Sequence, residues 1–413
     1  MEKAILVGLN LNNNPEFTET MSELENLSEA CHIEIHDKIT QNKDTPSIKY
    51  YIGEGKVEEL KELINLYSPD LVIFNDELSP SQIRNLENAL EIKVIDRTVL
   101  ILDIFARRAK TTEAKLQVEL AQSEYMLPRV IGMNKSLSRQ RSGTGSKGPG
   151  EQKLELNRRL LRNKITKLKK DLKSIVEIRR QQRKNRKTTN IPIVALTGYT
   201  NSGKSTLMNA IIDYSSHHDK SYAFRKNMLF ATLETKTKRV TLDNSKNFLL
   251  TDTVGFIKKL PHNLIEAFKS TLEEISEADL LIHVIDVANK NYQSQINTVK
   301  NVLKEINADD IPVIYAYNKI DLIKEFPIPE TENAIFISAE NQLNTDKLLE
   351  LINNLIERNS TEVELLLPFE KGDIYSYLKD NKSILHSKYE NKGIRLKVRL
   401  SQREINQYKN YII

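Results

Sequence analysis

The sequence predicts an α/β protein. It places a phosphate-loop nucleotide-binding domain after a smaller α/β domain with a long antiparallel helical hairpin, and before a small α+β module. Three observations carry this prediction. An apolar run at residues 191–196 leads into Gly198-Tyr199-Thr200-Asn201-Ser202-Gly203-Lys204-Ser205 and then a helix-forming stretch, the strand–GxxxxGKS–helix context of a phosphate-binding loop. Strand-like and helix-like segments alternate through residues 1–110, as in a largely parallel sheet. Beyond residue 151, Leu154, Leu161, Ile165, Leu168, Leu172 and Ile175 step mostly by three and four, the period of a coiled-coil seam.

Bulk properties bound the answer. A chain of 413 residues implies about two to four domains. The single cysteine, Cys31, excludes an intramolecular disulfide and fits a reducing cytoplasm, where it reads as a small buried apolar residue. No apolar run approaches the roughly 20 residues of a membrane span. Net charge is only +5, yet residues 151–187 hold 15 Lys and Arg against 4 Asp and Glu. A basic stripe of that density marks contact with phosphates.

In chain order, residues 4–7, 33–39, 71–74 and 93–95 read as strands, and 21–30, 57–67, 80–90 and 98–109 as helices. Ser79 before Pro80 is a helix start. Gly53-Glu54-Gly55-Lys56 reads as a helix-start turn rather than a second phosphate loop. These residues make domain 1–110. Leu116, Leu120 and Leu127 share a helical face that the pattern ends at Pro128, and a second helix of about 50 Å follows from 151 to 187. The hairpin, 111–187, carries a tip from Gly132 to Gly150 with basic residues, four glycines after the first and no acid. A loop of that composition orders on irregular RNA.

Residues 188–359 form the nucleotide domain. Lys204 would reach the β- and γ-phosphates of a nucleotide, and the Ser205 hydroxyl would ligate Mg²⁺. A strand at 247–250 runs into Asp252-Thr253-Val254-Gly255, a DxxG that sets a carboxylate behind the Mg²⁺ ligands and brings a glycine N–H to the γ-phosphate. Strands at 280–286 and 311–317 follow, the second delivering Asn318-Lys319-Ile320-Asp321. Asp321 can accept from the guanine N1–H and N2 amine, which adenine cannot match, and a carboxylate buried unpaired under the wrong base discriminates strongly. Asn318 would hold the base edge and Lys319 would lie across the base and the phosphate loop. A strand at 335–337 ends in Ser338-Ala339-Glu340, whose backbone would receive the guanine O6. Residues 360–413 form a tail, with strands at 363–367 and 394–400 and helices at 372–379 and 402–408.

Together these elements resemble the P-loop GTPases, and more closely the HflX ribosome-associated GTPases. The resemblance rests on Asp96-Arg97-Thr98, Leu102-Asp103-Ile104-Phe105-Ala106, Lys115 to Gln122, Leu137-Ser138-Arg139-Gln140, Gly148-Pro149-Gly150-Glu151, the phosphate loop, Phe230-Ala231-Thr232-Leu233 and Asp252 to Phe256. It covers roughly residues 50–340 and implies a cytoplasmic, monomeric GTPase converting GTP to GDP. It also implies an N-terminal domain on the large (50S) ribosomal subunit, with the hairpin tip and basic helix on rRNA. Thr232 is implied as a switch residue ligating Mg²⁺ beside Ser205, with Phe230, Ala231, Leu233 and Glu234 around the nucleotide. The segment Thr232-Leu233-Glu234-Thr235-Lys236-Thr237 lacks the family's Asp-Pro, so Thr235 and Thr237 stay open as ligands.

The implied activity is separation of stalled or idle 70S ribosomes into subunits under stress, with Lys204, Thr232 and Gly255 as the catalytic group. Two other readings stand beside it, a GTPase acting on 50S precursors and a nucleotide-gated regulator of protein partners. Where many GTPases carry a water-orienting glutamine after the DxxG glycine, this chain has Phe256. That predicts slow intrinsic turnover, accelerated by the ribosome.

Overall fold

Short, almost wholly apolar segments such as Leu71–Phe74 belong in a parallel sheet covered on both faces, and that is where they lie. The computed structural model describes residues 1–132, 149–187, 191–215, 236–241, 247–259, 269–326, 333–358, 360–381, 384–401, 405 and 408–413. The chain divides into two units, one built mainly on residues 1–178 and one mainly on 179–413. Among the described residues the strands form three sheets.

In the first unit β1 (Glu2–Leu11), β2 (Ile33–Lys43), β3 (Leu71–Phe74) and β4 (Lys93–Asp96) form a parallel sheet in the order β2-β1-β3-β4. Helices α1 (Phe17–Ala30), α2 (Glu54–Tyr67), α3 (Pro80–Leu90) and α4 (Arg97–Arg108) connect and cover it. Ser79 starts α3 through a reciprocal capping box with Gln82. Asp96 caps α4 by accepting from the Val99 N–H. Gly53 precedes α2 as its N-cap, so Gly53–Lys56 is a helix start. Cys31 is buried, and desolvation pushes its thiol up to about 12. It packs as a small buried side chain. Strand β2 runs four residues beyond its expected end, through Thr40-Gln41-Asn42-Lys43, because β1 supplies a ladder partner as far as Leu11↔Lys43.

Helix α5 (Thr112–Gly132) passes straight through Pro128 rather than ending there. Proline removes one N–H from the ladder, and Arg129 secures the turn around it. Its guanidinium lies over the Tyr125 ring, donates to the Tyr125 and Leu78 carbonyls, and pairs with buried Asp96. Helix α6 spans Pro149–Lys187. Leu161, Ile165, Leu168, Leu172 and Ile175 are its less exposed positions, and Leu168 is buried. Lys164 pairs with Glu119 and Lys169 with Glu124. These two pairs advance together along both helices, so they do not carry the antiparallel register the sequence predicts. An apolar seam says which faces meet and leaves direction to the charged flanks. The tip, residues 133–148, lies outside the described residues.

The second unit holds a sheet in the order β10-β9-β8-β5-β7-β6. Its strands are β5 (Ile193–Gly198), β6 (Lys236–Thr241), β7 (Asn247–Asp252), β8 (Leu280–Asp286), β9 (Val313–Asn318) and β10 (Ala334–Phe336), all parallel except β6. Helices α7 (Lys204–Ser215), α8 (Lys269–Ser276), α9 (Tyr292–Glu305) and α10 (Thr345–Arg358) belong to it. Val194, Leu196, Leu207, Phe248, Ile282 and Ile314 are in its core. The tail is an antiparallel sheet of β11 (Ser360–Leu367), β13 (Gly393–Ser401) and β12 (Ile384–Glu390), in that order, with α11 (Gly372–Asn381). The helix expected at 402–408 falls mostly outside the described residues. Among the described residues no helix is long and apolar enough to cross a membrane.

Candidate functional site

Buried β5 delivers the phosphate loop at its C-terminal end, and α7 begins with Lys204. Parallel sheets of this kind bind ligands at that edge. The loop needs glycine at two points. Gly198 has φ +148°, and a Cβ there would stand 2.3 Å from the Val284 carbonyl oxygen of β8. Gly203 has φ +96°, and a Cβ would meet the Asn318 amide nitrogen at 2.2 Å.

Lys204 is buried and closes the loop, its Nζ donating to the Gly198 and Tyr199 carbonyls at 3.1 and 2.6 Å. Desolvation lowers its ammonium to about 8, against an upward pull from Asp252. A cation in a dry site attracts a phosphate more strongly than one in water. The Ser205 hydroxyl donates to the Asp252 carboxylate at 2.7 Å. Hydroxyl and carboxylate oxygens side by side fit Mg²⁺, which takes few protein ligands and keeps water and phosphate oxygens for the rest. Among the described residues no group of three or more His, Cys, Asp or Glu gathers to hold a metal, so Mg²⁺ would depend on the nucleotide for its shell. Phe230, Ala231, Thr232, Leu233, Glu234 and Thr235 lie outside the described residues. The Thr237 hydroxyl is 3.1 Å from that of Thr251 across β6 and β7, so Thr237 is a sheet residue.

The DxxG segment lies directly on the phosphate loop. Thr253 donates to the Leu196 carbonyl at 2.6 Å. A Cβ on Gly255 would come within 2.8 Å of Lys204 Nζ and 2.9 Å of Thr200 Cα. Thr200 N–H donates to the Phe256 carbonyl at 2.7 Å, and Phe256 N–H donates to Gly198 at 3.1 Å. Phe256 thus meets the loop through its backbone while its ring is buried. The ring carries no group for chemistry but does fill space. Phe256→Ala is expected to leave the single-turnover rate per folded molecule within about three-fold while costing about 3–5 kcal/mol of stability. Thermal unfolding beside single-turnover assays checks both halves.

At the base end, Asn318, Ser338 and Ala339 are buried. The Asn318 amide donates to the Ser202 carbonyl at 2.8 Å and accepts from the Ala339 N–H at 2.9 Å. These two bonds tie the phosphate loop to the loop after β10. Asp321 and Glu340 are exposed. The burial expected for the Asp321 carboxylate is therefore not found. Ile320 is buried in a short helical turn, Ile320–Leu322, that presents Asp321. The Ser338 side chain, which sequence reasoning passed over, donates to Asp321 at 2.5 Å and accepts from the Asn341 N–H at 3.2 Å. Serine is too common for its identity alone to signal this.

Three family models match the chain in succession. They are GTP-binding GTPase N-terminal over residues 18–106, GTP-binding GTPase Middle Region over 108–186, and 50S ribosome-binding GTPase over 193–319. A GTPase HflX of Caldanaerobacter subterraneus is 44% identical over 412 residues, covering 100% of this chain and 94% of the relative. The chain belongs to the HflX GTPase family. The GTPase HflX of Escherichia coli K12 is 39% identical over 381 residues, covering 91% of this chain and 88% of its own. A crystal structure of a GTP-binding protein from the archaeon Sulfolobus solfataricus in complex with GDP is 26% identical, with a TM-score of 0.45, covering 86% and 98% of the two chains. As an HflX GTPase this chain binds and hydrolyses GTP.

Proposed function

We propose that the chain is a cytoplasmic, monomeric, Mg²⁺-dependent GTPase that binds the large (50S) ribosomal subunit and separates 70S ribosomes into subunits. The supporting observation is relatedness along the whole chain to GTPase HflX proteins, with residues 193–319 matching a family described as 50S ribosome-binding. Domains 1–110 and 111–187 supply the ribosomal contacts, 188–359 the nucleotide site, and 360–413 a separate module. Lys204 and the Gly255 N–H would hold the γ-phosphate, and Ser205 and Thr232 would ligate Mg²⁺, with Asp252 behind Ser205. When bound, Mg²⁺ neutralises charge building on the phosphates. The protein itself binds and orients the nucleotide, and Phe256 offers no hydrogen bond to aim water. Turnover is therefore slow until the ribosome orders the site.

Sedimentation of purified 70S ribosomes with protein and GTP tests this reading. Loss of the 70S peak is the expected result. Binding to 50S precursors alone would replace it with an assembly role, and no ribosomal association would leave a regulator of protein partners. The basic face of α6 makes its own prediction. Arg159, Arg162, Lys167 and Lys170 are exposed. Neutralising all four should weaken ribosome affinity and flatten its dependence on salt, because fewer counterions are released. An unchanged salt slope would reduce that face to a solvated surface.

A further inference from the structure

At the C-terminal ends of β8 and β9, Asp286 and Asn318 are cross-strand partners. The Val287 N–H donates to the Asn318 carbonyl at 3.1 Å, which locks the two strand ends together. Lys319 follows in the left-handed region, with φ +67°. Its Nζ lies 2.6 Å from the Asp286 carboxylate. The other Asp286 oxygen accepts from the Ala288 N–H at 3.1 Å. That second bond fixes the carboxylate from its own backbone, independently of the lysine.

We infer that Asp286 is a positioning residue for guanine-nucleotide binding, holding Lys319 by its ammonium so that the lysine stem is already in place when the base arrives. The inference rests on reading Asn318-Lys319-Ile320-Asp321 as the base-binding segment. A lysine stem has four rotatable bonds, and freezing them at binding costs entropy. Freezing them beforehand through a salt bridge removes that cost, which is how preorganisation strengthens a complex. Side-chain exposures of 24% for Lys319 and 18% for Asp286 leave the pair partly screened by water, so its effect is modest. Asp286 acts on the nucleotide through Lys319 alone.

A double-mutant cycle on the full chain tests this, with dissociation of a fluorescent GDP analogue followed by stopped flow. Asp286→Asn removes the charge but keeps an oxygen for the Ala288 N–H, so the turn survives. It should release the nucleotide about five-fold faster than wild type. Lys319→Ala should be at least as fast, and the double variant no faster than Lys319→Ala alone, because the two side chains act as one unit. A wild-type rate in Asp286→Asn beside a fast Lys319→Ala would overturn the inference. So would an equal acceleration by Asp286→Asn when lysine is already absent, since that marks a role through the fold. A wild-type rate in Lys319→Ala would instead remove the base-binding reading, and the inference with it.

Discussion

Asp321→Asn is expected to turn the base site from guanine to xanthine. The carboxylate accepts from Ser338 through one oxygen, and an ionised carboxylate has further lone pairs for the two donors on the guanine edge. Asparagine keeps one oxygen, enough for Ser338, but places an NH₂ where guanine also presents a donor. Two charge-assisted hydrogen bonds are lost and a donor faces a donor, which should weaken GTP by about a hundred-fold or more. Xanthine carries a carbonyl in place of the amine and accepts from the new NH₂. Competition titrations with GTP, xanthosine triphosphate and ATP check this. Equal binding of ATP and GTP by the wild-type chain would end the claim that Asp321 reads the base.

Gly198→Ala should be the most damaging single-methyl change in the nucleotide unit. Its Cβ would stand 2.3 Å from the Val284 carbonyl oxygen and 3.1 Å from the Ser202 hydroxyl, at φ +148°. Both backbones belong to paired central strands, since Gly198 and Val284 are register partners. Neither can retreat without tearing the ladder. The expected cost is about 3 kcal/mol or more in unfolding, together with loss of measurable GDP binding. Gly55→Ala is the control. A Cβ there meets nothing within 4 Å, and inside α2 alanine is the better helix former by up to about 1 kcal/mol. Retention of wild-type GDP affinity by Gly198→Ala would show that the loop does not need this conformation.

Much of the molecule was legible along the chain. The apolar runs at Leu71–Phe74 and Leu280–Asp286 became strands with the expected ends, and Ser79-Pro80 opened α3. The phosphate loop was equally legible, because a glycine in the left-handed region and a lysine at a helix start are local requirements. Such features are decided within a few residues, by sterics, burial and capping.

What the sequence withheld depends on partners far along the chain. Lys236–Thr241 is polar, and it is a strand only because β7 offers an antiparallel edge. Ile384–Glu390 is mostly exposed, and it joins the tail sheet through β13. Pro128 is a helix breaker by propensity, yet α5 continues through it with Arg129 anchored on Asp96 and Leu78. The same division runs through the site. By itself the sequence determined that a phosphate loop, a DxxG and an Asn-Lys-Ile-Asp segment are present and in what order. Only the tertiary structure decided that Asn318 joins two loops, that Ser338 holds Asp321 and that Asp286 holds Lys319. Those assignments need side chains brought together across strand ends, and no local pattern of residues encodes which pairs will meet.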